Sequence, residues 1–400
     1  MLLCIERKSI FWRMEMIKIN SVVYNFLFGM VLVVIFLSCA SRPQTPKKPY
    51  PYYEEEVVFN NPTAGITLAG TLTLPNINGS YPAVVLIAGS GPNERDEVVE
   101  KHKIFMVLAD YLTKNGIAVL RFDKRGTGKS TGEFGTTKRY GIFYQDIPTA
   151  TAADFASDVE AAVSFLKTRK EVNKEKIGLI GHSEGGLIAP LVASKLDDVA
   201  FIVLLAAPGI PMDQLNLTQN EWALLNDNIN KADIQMLLSI DEKTFDLVNK
   251  ATTDEQLRQN VTKHIEQEFY ENPRVTRLLG KPIIMSKRQY TKAYINEIIS
   301  PWNVYILGID PSVALKEVKC PVLAINGDKD VQVSSEPNLS AIQNALTEGC
   351  NNDFTIMEMI GINHLLQECI TGSPKEYAKI KQTISPLVLE EIARWIKIRI

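Results

Sequence analysis

Five short, almost uninterrupted apolar runs constrain this chain more than any other feature. They are residues 83–87 (AVVLI), 117–122 (IAVLRF), 177–180 (IGLI), 201–205 (FIVLL) and 322–325 (VLAI). Each has the length of a strand and none alternates cleanly between apolar and polar. A strand apolar at successive positions has to be covered on both faces. Helical stretches at 103–112, 152–167 and 187–196 lie between the first four runs, and Pro190 falls early enough in the third to be tolerated or to kink it. Such alternation predicts an α/β fold, a mostly parallel central sheet with helices on both faces. A paired β start at 57–59 and 66–74 precedes it. A helix at 340–346, a strand at 354–357 and a last helix at 387–396 complete it.

Between residues 211 and 312 the strand rhythm stops. The sequence turns polar and helical, most clearly at 235–247, 254–270 and 290–299. An insertion of this size is domain-like, and it falls between the sixth and seventh strands. The expected organisation is therefore an export segment at 1–39, a tether at 40–53, the first part of the core at 54–210, a helical cap at 211–312 and the second part of the core at 313–400. No internal repeat is visible.

Residues 22–37 read VVYNFLFGMVLVVIFL, with Lys18 before them and Ser38-Cys39-Ala40 after. A basic start, an apolar stretch and small residues make a secretory signal, and the run is short for a membrane span of about 20 residues. Ser38-Cys39 resembles a bacterial lipobox, with Cys39 as the lipidated residue, although Phe36 stands where Leu is common. The alternative is an uncleaved anchor helix. Glu6 and Glu15 are unlike a signal start, so translation is expected to begin at Met14 or Met16. These features predict an exported protein, lipid-anchored on the periplasmic or cell-surface side of a bacterial membrane. A mature chain beginning before Cys39 would overturn that. The following SRPQTPKKPYPYY is too rich in Pro and Lys to form a core and reads as an extended tether.

The net charge of −3 speaks against nucleic acid, whose binders gather Lys and Arg on one face. Cys320, Cys350 and Cys369 are expected to be free, buried thiols. A bridge between the last two would have to span a five-residue strand of roughly 17 Å, whereas bridged Cα atoms lie within about 7 Å.

The chemistry centres on Gly181-His182-Ser183-Glu184-Gly185-Gly186. This is a G-x-S-x-G between a predicted strand and a predicted helix, the context in which such a serine is a nucleophile. The sharp turn strains the serine, and side chains at the flanking glycines would collide. A serine needs a base. Of the four histidines, His182 is turned elsewhere by the elbow, His264 lies in the insertion, and His102 precedes the serine. His364, after the last strand, fits the order Ser…Asp/Glu…His. The acid expected to orient it is Asp330, in the Asn326-Gly327-Asp328-Lys329-Asp330 turn, with Asp328 in reserve. For the oxyanion, the backbone N–H groups of Ser90, in Ala88-Gly89-Ser90-Gly91-Pro92, and of Glu184 are the candidates. Gly126-Thr127-Gly128-Lys129-Ser130 imitates a phosphate-binding loop, but Asp123 stands where the pattern needs its first glycine, and no helix follows.

Five motifs in order, AGSGP, DKRGTGKS, GHSEGG, GDKD and NHLLQ, resemble the α/β-hydrolase superfamily, and in particular bacterial esterases whose oxyanion loop reads GSGP. The similarity runs from about Tyr52 to the C-terminus and includes Ser300-Pro301-Trp302. It implies a serine carboxylesterase acting on short acyl chains without metal or cofactor, with Ser183, Asp330 and His364 as its triad and the insertion as a lid. Trp222, Tyr270, Tyr290 and Trp302 are candidates to line that lid. Ala88 departs from the wider superfamily, where a histidine often precedes the glycine. A serine peptidase or thioesterase on the same fold remains open, because fold does not fix substrate. So does a non-catalytic surface lipoprotein.

Overall fold

Successive residues of one strand enter opposite layers. Ala83, Val85 and Ile87 join one apolar cluster, and Val84 and Leu86 join another. In the same way Val322 and Ala324 face one side while Leu323 and Ile325 face the other. Burial on both faces is what the uninterrupted runs predict.

The computed structural model describes residues 42–140, 143–227, 229–279 and 286–400. The expected export segment, with Cys4 and the candidate lipidation residue Cys39, lies outside the described residues. The central sheet comprises β1 (Tyr53–Asn61), β2 (Ile66–Leu74), β3 (Tyr81–Ile87), β4 (Ala118–Phe122), β5 (Val172–His182), β6 (Phe201–Leu205), β7 (Val322–Gly327) and β8 (Phe354–Met359). Its order is β1-β2-β4-β3-β5-β6-β7-β8. β2 pairs antiparallel with both β1 and β4, and every other pairing is parallel.

One face carries α1 (Ile104–Lys114), and the other carries α2 (Ala152–Lys167) and α3 (Glu184–Ala193). The α2 start is fixed by a capping box, in which Thr151 accepts from the Asp154 N–H and Asp154 accepts back from the Thr151 backbone. Between β6 and β7 lie α4 (Met212–Asn226), α5 (Lys231–Lys250), α6 (Asp254–Glu271), α7 (Pro273–Leu279), α8 (Lys287–Ile298), α9 (Pro301–Leu307) and α10 (Pro311–Leu315). Their apolar residues, among them Phe245, Val261, Phe269 and Trp302, continue the α2–α3 cluster. After β7 come α11 (Ser335–Glu348), α12 (Pro374–Tyr377) and α13 (Pro386–Arg399), and α13 packs beside α1.

The structure also contains a hairpin, Gly135–Tyr140 paired with Phe143–Pro148. Gln145 on it donates to Glu297 of α8 at 3.1 Å. Residues 42–52 also differ from a free tether. The Arg42 guanidinium donates to the carbonyls of Glu100, Ala378 and Ile380 at 2.9–3.0 Å. The Gln44 side chain donates to the Ile384 carbonyl and accepts from the backbone N–H groups of Thr383 and Ile384. Tyr52 donates to Asp110 at 3.1 Å. A Pro-rich segment needs no core of its own when it borrows hydrogen-bond partners from the body. The three described cysteines are free, but Cys350 is exposed rather than buried, and Cys320 and Cys369 are half-buried. Burial pushes the Cys320 thiol up to about 12.

Candidate active site

β5 ends at His182 and α3 begins at Glu184, so one residue makes the whole connection. Ser183 carries φ 54° and ψ −119°, a conformation that costs an L-residue on the order of 1–3 kcal/mol and persists only where its surroundings enforce it. The enforcement is visible in the glycines. A Cβ on Gly181 would lie 2.0 Å from the Gly185 carbonyl oxygen, and one on Gly185 would lie 1.9 Å from that of Ile87. The Ser183 N–H donates to the Leu205 carbonyl at 2.9 Å, and the Gly186 N–H donates to the Ser183 carbonyl at 2.8 Å. Glu184 is the first residue of α3, where backbone N–H groups have no acceptor within the helix.

The structure brings His364 and Asp330 together. His364 Nδ1 lies 2.8 Å from Asp330 Oδ2, and both side chains are buried. The other oxygen of Asp330 accepts the N–H groups of Gln332 and Val333 at 2.8 and 2.9 Å. A carboxylate on Nδ1 holds the neutral ring with its proton there and leaves Nε2 as the basic atom. Asp328, the reserve, instead accepts the Gly361 N–H at 2.6 Å and shapes the loop.

His182 has partners of its own. Its Nε2 donates to the His364 carbonyl at 2.9 Å, and its Nδ1 lies 3.0 Å from Glu97 Oε1. The two imidazole rings sit 5.0 Å apart. Burial works against the charged form of His182, but the Glu97 carboxylate, the His364 carbonyl and the Asp330 charge together outweigh it, so its pKa is raised.

The same Glu97 oxygen accepts the Gly89 N–H at 2.7 Å. That N–H is therefore taken and is not free for a substrate. A Cβ built on Gly89 would lie 3.2 Å from Ser183 Cβ, so the loop rests against the elbow. The Gly89 carbonyl accepts from Lys124 Nζ at 2.5 Å and from Asn93 Nδ2 at 2.9 Å. The Glu184 carboxylate is buried, with Lys124 Nζ 2.9 Å from Oε2 and Trp302 Nε1 2.6 Å from Oε1. Sequence reasoning assigned no role to Glu97 or Lys124. Their carboxylate and ammonium were the available signal, but their partners are fixed by tertiary contact.

The loop that imitates a phosphate site is built around an internal anion. Asp123 accepts from the Arg95 and Lys129 backbone N–H groups at 2.9 and 3.0 Å and from the Arg95 guanidinium at 2.8–2.9 Å. A Cβ on Gly128 would meet that carboxylate at 2.4 Å. The remaining histidines have other partners. His102 is buried against Thr383 and the Tyr377 carbonyl, and His264 faces the Ile240 carbonyl. Of the four aromatics expected to line a lid, Trp302 reaches the elbow. Tyr290 stacks on Phe269 within the insertion. Tyr270 is exposed beneath Lys287, and Trp222 is half-buried on α4.

A family model described as serine aminopeptidase, S33, matches residues 98–271, a stretch that holds Ser183 but ends before Asp330 and His364. Esterase EstD of Thermotoga maritima is 28% identical over 356 residues, 87% of this chain and 68% of that one. An uncharacterized protein of Pseudomonas aeruginosa is 33% identical over 128 residues, 32% of this chain and 29% of that one. A solved structure of a hypothetical protein from Pseudomonas aeruginosa superposes with a TM-score of 0.50 at 19% identity, covering 90% of this chain and 97% of that one.

Proposed function

We propose that this chain, a hydrolase of the α/β-hydrolase fold, cleaves carboxylic esters of short acyl chain through an acyl-enzyme on Ser183. The observation that carries the reading is the strained elbow at Ser183, next in sequence to a histidine that holds the backbone of the Asp330-oriented His364. His364 Nε2 takes the proton of Ser183 Oγ as that oxygen attacks the ester carbonyl. The N–H groups of Ser90 and Glu184 receive the developing oxyanion. His364 then protonates the leaving alcohol, and a water activated by the same nitrogen releases the acid. Asp330 keeps the imidazole in the required tautomer and stabilises the imidazolium. The helices between β6 and β7 cover the site as a lid. The 28% identity to an esterase supports ester as the substrate class.

The serine aminopeptidase description of the matching family favours one second reading, a peptidase using the same residues. A single set of experiments separates them. A fluorophosphonate probe is expected to label Ser183 in the wild type and not in Ser183→Ala. Turnover of p-nitrophenyl acetate or butyrate is expected to fall by a factor on the order of 10⁴ or more in that variant. Hydrolysis of an aminoacyl p-nitroanilide faster than of the esters would select the peptidase. Full ester turnover by Ser183→Ala would end both readings.

A further inference from the structure

We propose that Lys124 is the positioning residue of the oxyanion hole, holding both of its backbone donors at once, and that Trp302 ties this clamp to the insertion. The proposal rests on the reading of Ser183 as nucleophile.

The two candidate donors belong to segments far apart in sequence. The Ser90 N–H lies in the loop after β3, and the Glu184 N–H opens α3. Lys124, in the turn after β4, touches both segments. Its ammonium donates to the Gly89 carbonyl at 2.5 Å and to Glu184 Oε2 at 2.9 Å, and it faces the Phe155 ring at 4.5 Å.

The carbonyl contact determines a direction. Gly89 C=O and Ser90 N–H belong to one peptide plane, and in a trans peptide they point oppositely. Pulling the carbonyl toward Lys124 therefore drives the Ser90 N–H to the other side of the loop. The plane is otherwise easy to rotate, because glycine accepts nearly any backbone conformation and Ser90 is exposed. Asn93 Nδ2 also reaches the Gly89 carbonyl, at 2.9 Å, but it is shared with the Ser90 carbonyl. Lys124 is thus the charged holder. A peptide turned over would present a carbonyl oxygen to the oxyanion and repel it.

The carboxylate contact works on the second donor. Glu184 is the residue whose N–H is used, and its side chain is buried with each oxygen on a different element, one on Lys124 and the other on Trp302 of α9. A buried carboxylate at the first position of a helix is costly unless each oxygen is met, and here both are. Trp302 therefore links the insertion to the same donor. Movement of α9 would be felt at the oxyanion hole and not only at the entrance to the site.

Removing Lys124 alone would strand the Glu184 charge, and the protein could fail to fold. The decisive variant is Lys124→Met with Glu184→Gln, which removes both charges together and keeps similar volumes. It is compared with wild type, Trp302→Phe and Ser183→Ala, all as the full chain, with rates normalised to the fraction of Ser183 labelled at completion by a fluorophosphonate. The double variant is expected to lose about tenfold to a hundredfold in kcat per reactive serine, with KM for p-nitrophenyl butyrate within about threefold. Affinity for phenylboronic acid, whose tetrahedral adduct puts an oxygen in the oxyanion hole, is expected to weaken in step with kcat. Trp302→Phe should show the same pattern at about threefold to tenfold.

Normalised kcat and boronate affinity within about twofold of wild type in the double variant would overturn the proposal. So would losses confined to the labelled fraction, since those mark a structural role alone. Either result leaves the Ser183 reading standing, because that reading is tested separately by labelling of the wild type and its loss in Ser183→Ala.

Discussion

At the scale of single residues, the site contains two buried histidine–carboxylate pairs rather than one. Asp330 orients His364, and Glu97 faces His182, which in turn holds the His364 carbonyl. The second pair has a cost, since Glu97 sits at φ 45° and its Oε2 is buried without a protein partner among the described residues. What it secures is position, because the same carboxylate also holds Gly89. The raised pKa of His182 has a definite sign. A histidine whose pKa is higher folded than unfolded adds stability that is fully present below the unfolded value, near 6.5. That stability is lost as pH rises through the folded value. The unfolding free energy of wild type relative to His182→Gln is therefore expected to be larger at pH 6 and to shrink on the alkaline side, measured by urea titration across pH 6–9. A difference independent of pH would mean that the His182 pKa is the same folded and unfolded, and one that grows with pH would mean that His182 is neutral in the fold.

At the scale of elements, the strand-turn-helix at Ser183 shows why a sharp elbow was legible in the sequence. The turn is so tight that its neighbours must be glycine, and a Cβ at Gly185 would lie 1.9 Å from the Ile87 backbone oxygen at the end of β3. Gly185→Ala must therefore separate α3 from β3. The expected loss is about 1–3 kcal/mol or somewhat more, read as a lowered urea midpoint, together with a greater loss of ester turnover than of stability. An unchanged midpoint would show that the elbow can relax.

Strands buried on both faces were legible for a related reason, since they tolerate no polar residue at most positions and so mark themselves. Asp330 and His364 followed from chain order alone. The hairpin at Gly135–Pro148 was hidden because only one pairing supports it, away from the main sheet. The clamp on Glu184 was hidden because its partners, Lys124 and Trp302, lie 60 and 118 residues away. Local periodicity carries no information about such distances.

At the scale of the whole molecule, the segment ahead of β1 behaves as a strap. Composition correctly excludes a core there, yet hydrogen bonds from Arg42 and Gln44 fasten residues 42–44 to the 378–384 region and to Glu100. The strap thus ties the residues just ahead of β1 to the loops before α13, and it joins parts that meet nowhere in sequence. Because Arg42 is half-exposed, its three carbonyl contacts are worth much less than three buried charge-assisted bonds. A net loss of about 1.5 kcal/mol is expected on replacing Arg42 and Gln44 together by Ala. That corresponds to roughly a tenfold rise in the population of the detached strap. Where opening and closing are fast relative to cleavage, proteolysis follows that population. Trypsin cleavage after Lys47, on the exposed middle of the strap, should therefore accelerate about tenfold in Arg42→Ala/Gln44→Ala. Ester turnover should stay at the wild-type value, because the strap touches none of Ser183, Asp330 or His364. Equal cleavage rates in the two proteins would mean that residues 42–52 detach freely even with both side chains in place.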